Sequence, residues 1–191
     1  MSAWQAMVLG ALQGATEFLP VSSSAHLVLV PWLLGWHAND LFFGVAVHVG
    51  TLLAVLYYFR DDVLSMLSAW WGTIRRRRID DGPGRLAWLV IVGTIPAGIA
   101  GVLLEDWFEA MFSTPRLVSI LLLVTGLILT LAEALARRAA RISEVHSVAD
   151  ALIIGLAQAV AIAPGISRSG ATISAGLARG LPRPEAARFS F

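Results

Sequence analysis

Three stretches of the chain run almost without charge for the length of a membrane span. Residues 41–59 are uncharged unless His48 is protonated, residues 86–104 carry no charge, and residues 117–135 contain only Glu133, near one end. A helix crosses the hydrocarbon core with about 20 apolar residues, so each stretch predicts a full span. Residues 61–71 are shorter and amphipathic, and predict an interfacial helix continuing from the first span.

Two further apolar regions are interrupted. Residues 2–35 are broken by Pro20 and the run Ser22, Ser23, Ser24; residues 149–180 are broken by Pro164, Gly165 and the run Ser167, Arg168, Ser169. Each half is too short to cross. The backbone groups that Pro and Gly open survive at membrane depth only when buried in protein or facing a wet cavity. Both regions therefore predict re-entrant helical hairpins. They also resemble each other. Gly10-Ala-Leu-Gln13 recurs as Gly155-Leu-Ala-Gln158, and Ser22-Ser-Ser24-Ala as Ser167-Arg-Ser169-Gly, both at an offset of 145 residues. The shared pattern predicts an internal duplication.

Composition agrees with a chain solvated by lipid. Apolar residues make up 57% and charged residues 14%, against about 25% charged in a soluble domain. All 14 basic residues are Arg. The run Arg75–Arg78, which in a soluble chain would suggest nucleic acid, reads beside apolar spans as a topology signal. Arg60 and Arg75–Arg78 lie between the first and second spans, Arg137, Arg138 and Arg141 follow the third, and Glu105, Asp106 and Glu109 dominate the loop between the second and third. The positive-inside rule puts both Arg clusters in the cytoplasm. The first hairpin then enters from outside and the second from inside, as inverted repeats whose broken tips converge near the midplane. The expected fold is all-α and polytopic, one functional domain made of a first repeat, 1–145, and the start of a second, 146–191. That second repeat stops inside a helix-forming segment, so a truncated C-terminus is expected. No basic n-region precedes the first apolar stretch, so no cleavable signal peptide is expected. With no cysteine, disulfides, thiolate metal sites and Cys nucleophiles are excluded. No P-loop, GxSxG or HExxH motif is present.

Few polar residues in the hairpins carry chemistry. Glu17 is the only acidic residue before Asp40, and an ionisable group there costs about 2.5–3.5 kcal/mol to insert. Gln13 lies four residues earlier, on the same helical face. Snorkelling to water is the plain alternative for Glu17. Ser22, Ser23 and Ser24 follow Pro20, where a serine caps the next half-helix, and His26 lies about one turn in. Free helix N–H groups beside a titratable ring form an anion site; the plain alternative is capping alone, with His26 on a carbonyl. Arg168 sits between Ser167 and Ser169, its rigid fork suited to phosphate oxygens, and Thr172 adds a hydroxyl one turn later. An Arg168–Glu17 pair for structure only is the competing view. His48, mid-span, reads as a satisfied structural residue or as a supporting partner of the site. His37 and His146 sit in polar connections and carry no assignment. Trp32, Trp36, Trp70, Trp71, Trp88 and Trp107 fall near span ends, as interfacial anchors do.

The segments Gln13-Gly-Ala-Thr-Glu17-Phe-Leu-Pro20-Val-Ser-Ser23-Ser-Ala-His26 and Pro164-Gly165-Ile-Ser167-Arg168-Ser169-Gly-Ala-Thr172 resemble, in order and spacing, the two signatures of the undecaprenyl-diphosphate phosphatases of the bacitracin-resistance type. The likeness covers essentially the whole chain. Gln13 stands where many members have Glu, and Ala25 where Gly is common. The resemblance implies hydrolysis of undecaprenyl diphosphate to the monophosphate and inorganic phosphate, which recycles the lipid carrier for peptidoglycan synthesis and confers bacitracin resistance. It implies a bacterial cytoplasmic (inner) membrane location, a site open to the periplasm or outside, and a divalent cation, Mg²⁺ or alternatively Ca²⁺, near Glu17 and Gln13. Glu17, His26, Ser23 and Arg168 are the expected catalytic residues; Ser22, Ser167, Arg168, Ser169 and Thr172 are expected to bind substrate. The nucleophile is Ser23 activated by Glu17 or His26, His26 itself, or a water. The expected partners are the polyprenyl diphosphate and the bilayer, with a homodimer as an option and no nucleic acid. A transporter or flippase for a lipid phosphate or anion is the competing class, since inverted broken hairpins also build those.

Overall fold

The computed structural model describes residues 1–36, 41–79, 82–136 and 147–191. Among them the chain forms ten helices and no strand. Local chemistry sets most of their ends. Helix α1 (Ala3–Phe18) starts from a reciprocal cap between Ser2 and Gln5. Helix α2 (Ser23–Leu34) ends at Gly35 in the left-handed conformation, whose N–H returns to the carbonyls of Pro31 and Trp32. Helices α5 (Pro83–Leu103) and α7 (Pro115–Ala136) each open on a proline, which has no N–H to leave unpaired. Helix α4 (Arg60–Arg76) places Asp61 and Asp62 in its first turn and Arg75 and Arg76 in its last, complementing the helix dipole at both ends.

The three stretches expected to span are helical, as α3 (Leu41–Tyr58), α5 and α7. By length and apolarity α5 and α7 each qualify alone, while α3 and α4 are bent by 79° at the break between them. Helix α3 is about 27 Å long, so it nearly matches the hydrocarbon thickness unaided. The amphipathic stretch expected at 61–71 is thus a longer helix that leaves the axis of α3 at a sharp angle. The acidic connection expected as a loop is itself helical, α6 (Glu105–Phe112). Glu105 and Asp106 occupy its first turn, where the dipole favours them, and Phe108 gives it a buried anchor. The second Arg cluster (Arg137, Arg138, Arg141), His37 and His146 lie outside the described residues.

Both interrupted regions form helix–break–helix units. The first is α1 and α2, with the break at 19–22; the second is α8 (Val148–Val160) and α9 (Arg168–Ala178), followed by α10 (Arg183–Ser190). Helix α7 is the spine between them. Its Val118 and Leu122 pack on Ala25, Val28 and Leu29 of α2. Its Leu121 packs against the second break at Ala163 and Ile166, where Phe108 of α6 also lands. Its Ala132 meets Ile154 and Leu177. Helices α5 and α8 approach so closely that a Cβ on Gly155 would lie 2.0 Å from the Gly93 carbonyl oxygen. Helices in lipid gain nothing from burying apolar surface as such, so association relies on close approach of this kind.

Candidate active site

The two breaks are built differently and end alike. In the first, Pro20 ends the helical run and Ser22 adopts φ +62°, a left-handed conformation uncommon outside glycine. Its hydroxyl accepts from the Ala25 N–H. Its carbonyl accepts from the His26 N–H at 3.3 Å and from His26 Nδ1 at 2.8 Å. A carbonyl only accepts, so Nδ1 carries the proton. In the second break Gly165 adopts φ +106°, and a Cβ there would sit 2.6 Å from both the Leu121 Cβ and the Val118 carbonyl oxygen; only glycine passes under α7. Ser167 then caps α9 by accepting from the Gly170 N–H at 3.1 Å. Ser23 opens α2 and Arg168 opens α9. The serine and the arginine therefore occupy the same place in the two half-helices, at the same 145-residue offset as the sequence repeat.

Both side chains meet at Glu17. The Arg168 Nη2 donates to Glu17 Oε1 at 3.0 Å, and the Ser23 hydroxyl donates to Oε2 at 2.6 Å. Gln13 Nε2 donates to Oε2 at 3.1 Å and reaches Thr51 of α3 at 3.5 Å. His48 Nε2, also on α3, stands 3.8 Å from Oε2, while its Nδ1 is 2.7 Å from the Gly44 carbonyl oxygen. Arg168 is steadied from its other side, where Nη1 donates to the Ser190 carbonyl at 3.1 Å and the guanidinium lies 5.9 Å from the Phe191 ring centre.

This cluster opens on a cavity of about 760 Å³. Glu17, Ser22, Ser23, Ser167, Arg168 and Ser169 line it, Phe43 and Val45 of α3, Ala97 of α5 and Phe108 of α6 add apolar wall, and Glu105 and Glu109 of α6 also reach it. A sealed structural ion pair would not look like this, since Arg168 keeps 41% of its side-chain surface open. A guanidinium and two half-helix N-termini together favour an anion, and apolar walls favour a hydrocarbon chain beside it.

Two expected site residues stand apart from the lining. The Thr172 hydroxyl donates back to the Arg168 carbonyl at 2.8 Å and pairs with Ser190 Oγ at 2.6 Å, so the side chain one turn into α9 faces α10 instead of the cavity. His26 is committed to the Ser22 carbonyl and supports the kink from behind. The imidazole beside the carboxylate is that of His48. Its place rests on how α3 leans on α1, which no local pattern encodes. Thr125 of α7, whose hydroxyl donates to the Gly165 carbonyl of the second break, gives no signal in the sequence, where it is a threonine inside an apolar stretch.

The same cluster can be tested against a divalent ion. Among the described residues no group of three or more His, Cys, Asp or Glu could hold a metal, so these residues alone form no complete cage. Gln13 is fully buried, yet its Oε1 has no hydrogen-bond partner. It is the Gln13 Nε2, however, that faces Glu17, so of this pair Glu17 alone turns an oxygen to the cavity, and a Mg²⁺ ion there would take its remaining ligands from substrate phosphates and waters.

Comparison with known proteins agrees with the geometry. The family model for bacitracin resistance protein BacA matches residues 6–191. An undecaprenyl-diphosphatase of Thermomicrobium roseum is 49% identical over 199 residues, spanning 100% of this chain and 71% of that protein. Undecaprenyl-diphosphatase 2 of Stutzerimonas stutzeri is 50% identical over 190 residues, spanning 98% and 70%, and the undecaprenyl-diphosphatase of Gemmatimonas aurantiaca is 47% identical over 191 residues, spanning 100% and 71%. The kinks, the carboxylate between them and these likenesses lead to one assignment: the chain belongs to the BacA bacitracin-resistance family.

Proposed function

We propose that this protein is a multi-pass membrane phosphatase that hydrolyses undecaprenyl diphosphate to undecaprenyl phosphate and inorganic phosphate, renewing the lipid carrier used in cell-wall synthesis. One observation carries the mechanism: the short Ser23–Glu17 hydrogen bond, with Arg168 on the other carboxylate oxygen. It is the geometry of a nucleophile paired with its base. The diphosphate enters the cavity, held by Arg168 and the N–H groups that open α2 and α9, while the prenyl tail lies along the apolar walls. Ser23 Oγ attacks the terminal phosphorus and its proton passes to Glu17. The bond to the bridging oxygen breaks, and the leaving lipid monophosphate takes the electron pair and then that proton. A water that gives its proton to Glu17 attacks the phosphoserine, phosphate departs, and Ser23 takes the proton back. Most of the rate gain in phosphoryl transfer comes from positioning and charge stabilisation. A Mg²⁺ ion near Glu17 would neutralise phosphate charge.

In the membrane, the reading places the Arg75–Arg78 end of α4 in the cytoplasm, α6 outside, and the two hairpins as re-entrant units of inverted repeats, with the site open to the periplasmic or outer face of the cytoplasmic membrane.

Release of phosphate from undecaprenyl diphosphate by the detergent-purified protein tests this. Ser23→Ala is expected to lose turnover by a thousandfold or more, on the order of losses seen when a nucleophile is removed. Arg168→Ala is expected to lose about a hundredfold or more, because it also strands a half-buried carboxylate. Near-normal turnover by either folded variant refutes its role. Movement of the lipid across vesicles without phosphate release would instead favour the transporter.

A further inference from the structure

Pro164 and Gly165 leave backbone groups of the second break without helical partners, and one hydroxyl satisfies two of them. Thr125 Oγ1, in the middle of α7, donates to the Gly165 carbonyl at 2.8 Å and accepts from the Ser167 N–H at 3.0 Å. The residue is 3% exposed. Ser167 is the N-cap of α9 and Arg168 is its first residue, so the bonded N–H lies one peptide before the guanidinium-bearing residue. The same face of α7 packs Val118 against Ala25 and Val28 of α2, the half-helix that Ser23 opens. Helix α7 thus touches both kinks, and Thr125 is its polar attachment to the second.

We propose that Thr125 is a positioning residue for catalysis: it fixes the second kink to α7, and so sets where Arg168 stands relative to Glu17 and Ser23. The idea rests on the phosphate-clamp reading of Arg168. Serine and threonine hydroxyls inside helices ordinarily bond their own helix, as Thr130 does with the Gly126 carbonyl at 2.8 Å. Thr125 instead spends both of its hydrogen-bonding directions on another element. A hydroxyl both donates and accepts, so valine, of the same shape, orphans a carbonyl and an N–H together. Those groups have no water to turn to in a buried site, and the break is free to shift until they find partners. A displacement of about 1 Å at a charge that must meet phosphate oxygens is enough to reduce turnover.

The test uses full kinetics of phosphate release from undecaprenyl diphosphate. Thr125→Val is expected to lower kcat/KM about tenfold or more, with a rise in KM as the clamp moves. Thr125→Ser restores the hydroxyl and is expected to stay within about threefold of the native protein. Thr130→Val, on the same helix, is expected to change neither constant. Melting midpoints of all variants are measured first, and kinetics are read below the lowest midpoint. If Thr125→Val does not fold, Thr125→Ala takes its place. A folded Thr125→Val or Thr125→Ala protein with native kcat/KM overturns the proposal, as does a Thr125→Ser protein as impaired as the variant lacking a hydroxyl. Arg168→Ala is assayed alongside: if that variant is itself active, it is the phosphate-clamp reading that fails.

Discussion

Glu17 gathers four polar partners on two oxygens. Arg168 holds Oε1, while Ser23, Gln13 and His48 surround Oε2. A carboxylate at this depth is tolerable only because these groups replace the water it has lost. His26 works at one remove. Its Nδ1–H holds the carbonyl of Ser22, the one residue of the first break in a left-handed conformation, and Ser22 directly precedes Ser23. His26→Ala leaves that carbonyl only the longer backbone N–H bond, at 3.3 Å, and is therefore expected to reduce turnover about tenfold, the equivalent of losing one net hydrogen bond. His26→Asn keeps an N–H near the position of Nδ1 and should recover much of that loss. Parallel assays decide the matter: if His26→Asn is as inactive as His26→Ala, the ring does chemistry beyond holding the kink.

The α5–α8 crossing shows how little side chain this fold allows between elements. Gly93 and Gly155 bring two backbones into contact, and Ala151 lies on the same seam. Gly155→Ala must push the helices apart, since its Cβ meets a carbonyl oxygen and not a side chain that can turn away. The expected cost is about 3 kcal/mol or more, seen as a lower melting midpoint in detergent. The neighbouring Gly98 offers the control, because a Cβ there meets nothing within 4 Å; Gly98→Ala should melt as the native protein does. Equal midpoints for the two variants would show that the crossing has room for a methyl group. Because α8 leads into the second break, the same substitution should also disturb the position of Arg168.

At the scale of the molecule, charge marks the surfaces and a polar cluster gathers around Glu17 inside. Arg75–Arg78 end α4, and the acidic helix α6 sits at the opposite end of α5, so the orientation is open to direct test. The chain has no cysteine, which makes single replacements clean reporters. With intact cells, a membrane-impermeant thiol reagent is expected to label Ser113→Cys, just after α6, and to spare Arg77→Cys until the membrane is opened. The reverse pattern would invert the proposed topology and put the cavity mouth on the wrong side for an externally open site.

The chain's own pattern was enough for the helices at the three long apolar stretches, for both breaks and for the two groups that matter most electrostatically. Lipid imposes that legibility, because every charge and every broken helix at membrane depth needs a reason, so Glu17, Arg168, Pro20 and Pro164 stand out against an apolar background. What only the tertiary structure decided is which polar groups face one another across elements. It turned Thr172 toward α10, set His26 behind the kink and His48 beside the carboxylate, made a helix of the acidic connection and gave Thr125 two partners on another segment. Most of those outcomes depend on helix rotation and crossing, through contacts such as Thr172–Ser190, His48–Glu17 and Thr125–Gly165 between different elements, and no period along the chain records them.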